Sequence, residues 1–457
     1  MSKILIVAYH FPPDASVGAL RPAKFAKYLP EFGWAPIVLT VKEHLYPATD
    51  PSRSKDAASI RDICRTRVLP QASALYVQMK AWLGRRRARN GAATSSRPRP
   101  HPASRRSGLR RFVLSLEWLP DEKQMWIPMA IWHGLRLVRR HAIDATFTSG
   151  PPMSCHVVGL ALKLLTGLPW IADFRDPWLA HREGTLVPST TFSKTVEAWL
   201  ENATLKTADK VVVTTERLQT NLRERCPAAA GKIEVIPNGY DPSDFILPPS
   251  VENPSREARR FTLTHAGTIY YHRSPDAFLR SLSDLVCRGQ LPRDRVRVRF
   301  LGESPGVRER CAELGLGDIV TAEGTVSYER CIEALYGSDV LVLFAQGQPL
   351  QVPGKFYDYV AVGKPILVIA DDGATTDIAK RLNRATVVVP DDASRLEAHL
   401  ADMFRRFERG TLGHEHHSSA GIQRALTRLE QTRTLAALLD AAVAARSTSQ
   451  PVAVVRP

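Results

Sequence analysis

This 457-residue chain is short of cysteine, of long apolar runs and, over one stretch, of acidic charge. Its six cysteines, at 64, 155, 226, 287, 311 and 331, are scattered, with no C-x-x-C pair and no paired metal spacing. That pattern argues against a disulfide framework or a zinc site and fits a reduced, cytoplasmic chain. No window approaches the roughly 18 consecutive apolar residues that a membrane span requires. The N-terminal MSKILIVAYHF has the lysine-then-apolar look of an export signal. Its apolar run stops before His10 and Pro12, so a first buried strand is the better expectation.

The deficit of carboxylates is local. Residues 84–111 hold ten arginines and no Asp or Glu, so the net charge of +16 would fall to about +6 without them. Their Pro- and Ser-containing composition predicts disorder. Amphipathic flanks carrying Tyr76, Trp82 and Trp118 suggest a surface that rests on anionic lipid, with a solvated insertion as the alternative. Nucleic acid is not expected, because no zinc finger, aromatic RNA-binding strand or helix-turn-helix pattern accompanies the arginines.

Outside residues 42–120, which lose the rhythm, apolar runs alternate with amphipathic stretches. Strands are predicted at 4–8, 36–40, 144–148, 170–173, 210–214 and 233–236, with helices at 18–32, 128–141, 154–165, 192–208 and 216–225. A polar, Pro-containing stretch at 248–260 reads as a linker. A second series follows, with strands at 261–266, 296–301, 319–322, 339–343, 366–370 and 385–389 and helices at 275–287, 306–314, 328–335 and 393–407. The fold class is therefore α/β, with two tandem Rossmann-like doubly wound domains facing across a cleft. The expected boundaries are 1–247, linker 248–260, 261–415, a C-terminal helix at 416–446 that could return to the first domain, and a tail at 447–457.

The most informative stretch is VPGKFYDYVAVGKPILVIA, residues 352–370. A Pro-Gly turn opens a short helix that stops at Gly363, and a buried strand follows. Unpaired N–H groups at such a helix start favour an anion, and Lys355 adds a full charge. Asp358 lies three residues on, on the same face, where a carboxylate can accept from vicinal sugar hydroxyls. Gly18 and Arg21 stand at another helix start, and Ser149, His156, Asp173 and Arg175 gather at strand ends, where open parallel sheets bind ligands.

Five segments, in order, resemble the GT-B glycosyltransferases of family four and its "four-like" N-terminal domain: YHFPPDASVGALRPAKFAKYL, FTSGPPMSCHVVGLALKLLTGLPWIADFRDPW, VIPNGYDPSDF, HAGTIYYHRSP and PGKFYDYVAVGKPIL. The resemblance implies metal-independent, retaining transfer of a sugar from a nucleotide-sugar donor, with no further cofactor, to a glycan or lipid-linked acceptor. It implies that Arg273 and Lys355 neutralise the leaving diphosphate and that His156 contacts the sugar. Gly18, Arg21, Gly267, Gly354, Asp358 and Asn238 would hold the donor, while Asp173 and Arg175 would hold the acceptor. Two family positions differ: its Arg is Ile269 here, and the first Glu of its Glu-x7-Glu pair is Leu350. A nucleotide-sugar epimerase of the same plan and a non-catalytic GT-B partner remain as alternatives.

Overall fold

The computed structural model describes residues 1–70, 115–179, 190–246, 259–269, 273–382, 385–413 and 420–449. The Arg-rich stretch 84–111, most of the expected linker and the tail from 450 lie outside these residues.

Seven strands form the first sheet: β1 (Ser2–Val7), β2 (Trp34–Val41), β3 (Asp62–Thr66), β4 (Ala145–Gly150), β5 (Trp170–Phe174), β6 (Lys210–Val213) and β7 (Ile233–Val235). They run in the order β3-β2-β1-β4-β5-β6-β7, and every ladder is parallel. The second sheet contains β8 (Phe261–Ala266), β9 (Val296–Leu301), β10 (Val320–Gly324), β11 (Val340–Phe344), β12 (Ile366–Ile369) and β13 (Ala385–Val388). Its order is β10-β9-β8-β11-β12-β13, again all parallel. Fully buried runs such as VLVLF in β11 are what a sheet covered on both faces demands.

Both sheets reverse their winding next to their first strand, between β1 and β4 and between β8 and β11. Chain leaving these neighbouring strands diverges to opposite faces and opens a crevice at their carboxyl ends. The connections after β1 and β8 carry Gly18 and Gly267, and the helices that follow β4 and β11 carry His156 and Lys355 in their first turns.

Each face of the first sheet has its own helical layer. Ile4, Ile6 and Phe147 pack against the helix Leu20–Tyr28 and against Leu435, Ala436 and Leu439 of the C-terminal helix Arg428–Ser449. Burying each of those two leucines contributes about 1.5–3 kcal/mol. The same helix accepts a hydrogen bond at Asp440 Oδ1 from Trp34 Nε1, at 2.9 Å. On the opposite face, Leu5, Val7 and Leu39 meet the helices Ile127–His141 and Ser154–Thr166. Gly159 lets the latter lie close to the sheet, since a Cβ there would stand 2.5 Å from the Trp170 ring.

Two elements differ from the sequence expectation. The stretch 42–120 was expected to lack the α/β rhythm, yet Asp62–Thr66 forms the edge strand β3. The helix Ala374–Leu382 was not anticipated at all. The C-terminal helix expected at 416–446 divides into helices Ala420–Ala425 and Arg428–Ser449, with Tyr240 pairing to the connection between them.

The two sheets are joined by side chains as well as by the chain. Thr215 Oγ1 donates to the Leu350 carbonyl at 2.7 Å, and Gln351 Nε2 to Asp176 Oδ1 at 2.6 Å. Arg217 bonds Asp377 and Asp372, and Arg381 pairs with Glu216.

Candidate functional site

The helix Gly354–Val362 starts without a side-chain cap, so its first N–H groups depend on the surroundings. Lys355 Nζ lies 3.3 Å from Asp358 Oδ2, 3.9 Å from Cys331 Sγ and 5.3 Å from the centre of the Tyr328 ring. Burial pushes the Asp358 carboxyl above its ordinary range, and Lys355 offsets only part of that. Burial also works against the Lys355 charge, but Asp358 outweighs it and holds the ammonium above the usual lysine range. The Tyr328 hydroxyl donates a long bond, 3.4 Å, to Asp358 Oδ1.

Opposite this helix start, β8 ends in Gly267 (φ 140°) and β9 in Gly302 (φ 115°). Both conformations belong to glycine. A Cβ on Gly302 would stand 2.7 Å from the Gly267 carbonyl oxygen, so the two turns touch only because Gly302 has no side chain. Gly267 also adjoins the Lys355 stem, 3.9 Å from Cγ. Arg273 Nη2 donates to Gln348 Oε1 at 2.7 Å, in the loop after β11.

The N-terminal domain meets this region through Val17, whose Cγ1 would lie 3.3 Å from a Cβ on Gly354. Gly18 follows, held by Arg175: Nη1 donates to the Gly18 carbonyl at 2.6 Å, Nε to the Gly150 carbonyl at 3.1 Å, and Nη2 to the Pro151 carbonyl. Arg175 thus ties the loops after β1 and β4 together.

His156 is fully buried and stacks on Phe174 with ring centres 4.5 Å apart. Its ring is held by a short chain of contacts. Trp170 Nε1 donates to Thr148 Oγ1 at 3.0 Å, and Thr148 Oγ1 lies within hydrogen-bond distance of His156 Nδ1, at 2.8 Å. The other ring nitrogen, Nε2, has no hydrogen-bond partner among the described residues. A Cβ on Gly150 would stand 2.7 Å from that nitrogen, so glycine keeps the space above it clear. Burial drives the His156 pKa down to about 3, so the ring is neutral.

The structure changes the expectations for three charged residues. Arg21 and Asp173 are each at most 1 % exposed and bond one another, with Arg21 Nη2 2.9 Å from Asp173 Oδ1. The remaining Arg21 donors go to the carbonyls of Pro237 and Ile236, and Ser149 Oγ donates to Asp173. They form an internal strut between β5, β7 and the first helix rather than groups turned to a donor or an acceptor. Arg175 is a loop clamp on three carbonyls for the same reason. Ile269 and Leu350, which stand at the two divergent family positions, are packing residues. Ile269 is buried in the second domain's core, and Leu350 packs on the apolar cluster of the first domain.

Asn238 precedes Gly239, which has no room for a side chain: a Cβ would collide with the Gln431 amide and the Leu426 carbonyl. This turn therefore seats the C-terminal helix, with Tyr240 N donating to Leu426 O at 3.1 Å and Arg428 N to Tyr240 O at 2.8 Å. Two cations that sequence reasoning missed also border the site. Arg428 is buried, its pKa brought down to about 10 by burial and by Arg21, while Asp358 acts in the opposite direction. Arg53 holds the Ser16 carbonyl at 2.5 Å and lies 5.9 Å from the Tyr328 ring centre. Neither has a local signal, since their neighbours come from distant segments.

One group of carboxylates among the described residues has ligand-like spacing, Asp56, Asp241 and Asp244. The Lys24 ammonium fills it, at 2.8, 2.9 and 2.8 Å from the three carboxylates.

Two parallel α/β sheets, each with its glycine-bearing crevice turned to the other, make this a GT-B fold. Structural relatives agree. A sucrose-phosphate synthase from Thermosynechococcus elongatus superposes with a TM-score of 0.64 at 15% identity, covering 97% of this chain and 100% of that one. Anabaena HepE in complex with UDP-glucose gives 0.63 at 13% identity, covering 96% and 100%. Residues 77–244 match the family model described as Glycosyltransferase Family 4. A D-inositol 3-phosphate glycosyltransferase from Nocardiopsis dassonvillei is 26% identical over 243 residues, 50% of this chain and 56% of that protein. The chain thus matches about half the length of this curated relative.

Proposed function

We propose that the chain is a retaining, metal-independent glycosyltransferase that moves a sugar from a nucleotide-sugar donor to a glycan or lipid-linked acceptor. The observation that carries this is the Lys355–Asp358 pair at the start of an uncapped helix, beside the touching glycine turns of β8 and β9. The N–H groups at Gly354 and Lys355, with the Lys355 charge, would bind the donor diphosphate and stabilise the negative charge that develops as it leaves. Arg273 adds a second cation to the same rim. Asp358 would accept from the ribose hydroxyls. His156 Nε2, without a partner among the described residues and with Gly150 leaving space beside it, is suited to a hydrogen bond with a sugar hydroxyl, and Gly18 lets the loop after β1 approach the donor. Arg21, Asp173 and Arg175 act indirectly, by fixing the two N-terminal loops.

Relatives support the donor class: the HepE structures contain UDP or UDP-glucose. A thermal-shift panel of nucleotide sugars, with and without EDTA, tests the reading. A rise in melting temperature with one sugar nucleotide that EDTA leaves unchanged is the expected result. No rise with any member would favour a non-catalytic GT-B protein, the alternative to which Ile269 and Leu350 give weight.

A further inference from the structure

Three helices lie side by side on one face of the first sheet: Ile127–His141, Ser154–Thr166 and Thr191–Thr207. Their outward surface departs from an ordinary solvated one in two respects. Trp132, Leu164, Leu165, Phe192 and Trp199 all lie on it half-exposed or more, with Trp199 at 62% and Leu164 at 70%. Large apolar side chains are usually covered, and a cluster of them on one layer marks an interaction surface.

The charge on this layer has one sign. Arg136, Arg139, Arg140, Lys194 and Lys206 are exposed. The only carboxylates in the three helices are Glu197 and Glu201, and both are buried against the sheet side. Arg136 lies over the Trp132 ring at 4.7 Å, so aromatic and cation are presented together. Tryptophan prefers the headgroup level of a bilayer, and each nearby Lys or Arg adds attraction to anionic lipid. The described residues on either side of 71–114 lie next to the starts of two of these helices. Leu69 N donates to the Met125 carbonyl, just ahead of the first helix, and Ser115 Oγ lies 3.2 Å from Thr190 Oγ1, the cap of the third.

We propose that the outer surface of this three-helix layer docks on an anionic lipid bilayer, with Trp132, Phe192 and Trp199 at the headgroup level and the exposed Arg and Lys side chains among the lipid phosphates. The three helices mix cations with apolar residues and expose no carboxylate of their own, which fits a negatively charged fluid surface better than the dry, shaped contact of a second protein. The proposal rests on surface composition and does not depend on the transferase reading.

The test is co-sedimentation of the full chain with phosphatidylcholine vesicles, alone or with roughly 30 mol% phosphatidylglycerol. Binding to the anionic vesicles at least about tenfold stronger than to the neutral ones is expected. Trp132→Ser/Trp199→Ser and Arg136→Glu/Arg139→Glu/Arg140→Glu should each lose most of it with unchanged melting temperature. In the unsubstituted chain, bromolipid quenching of tryptophan emission that weakens in Trp199→Phe reads the same contact without disabling it. Wild-type protein left in the supernatant overturns the proposal. So does full binding by both helix variants while deletion of 84–111 abolishes it, and so does a Trp variant that changes only the oligomeric state.

Discussion

Half-buried Lys355 and buried Asp358 lie 3.3 Å apart at a helix start that faces the loop after β1. The two have different tasks in the proposed reaction, and substitution separates them. Lys355→Ala should lower turnover about 100- to 1,000-fold, the usual cost of removing a group that stabilises developing charge. It also strands Asp358, so the melting temperature falls; adding Asp358→Asn should restore stability without restoring turnover. Steady-state rates beside thermal denaturation check both halves.

Arg21 and Asp173, 152 positions apart in the sequence, bond one another inside the first domain. Arg21→Met should cost about 3–5 kcal/mol, because Asp173 keeps only the Ser149 hydroxyl against its buried charge. The double variant Arg21→Met/Asp173→Leu should recover much of that loss. Urea denaturation of the three variants measures it, and a cost below about 1 kcal/mol for Arg21→Met would assign the pair to the surface instead.

His156 makes the protein sensitive to acid. Its pKa, lowered to about 3 by burial, lies below the ordinary value of 6.5 that the unfolded chain regains. Below 6.5 the unfolded state binds a proton that the folded state refuses. The stability is therefore full above that pH and drains away as the pH falls toward 3. Between pH 6.5 and pH 5 this group should account for about 2 kcal/mol, at 1.36 kcal/mol per unit. Urea titrations of wild type and His156→Gln at the two pH values should differ by that amount, with the variant showing the shallower decline.

Much of the fold was legible because buried parallel strands are apolar throughout and their helices keep a 3.6-residue period. Phe261–Ala266, Val296–Leu301 and Glu216–Arg225 have the bounds that periodicity predicts. The edge strand DICRT failed that test, since it has one covered face and polar residues at both ends. Lys355, Asp358, Gly354 and Gly267 were found from local chemistry and do meet in space. Arg21, Asp173 and Arg175 misled for a physical reason: a charged residue at a strand end looks the same in sequence whether it faces a ligand or a buried counter-charge. Arg53 and Arg428 were invisible because only tertiary contact brings them to Tyr328 and Asp358.

The C-terminal helix Arg428–Ser449 supplies Leu435, Ala436 and Leu439 to the core of the first domain. During synthesis, that domain leaves the ribosome with one apolar wall uncovered and must wait for the entire second sheet to be made. Its final packing is therefore post-translational. Premature stop codons between β13 and Arg428 would leave both sheets encoded and the first one open, a species whose exposed Ile4, Ile6 and Phe25 invite chaperones or aggregation.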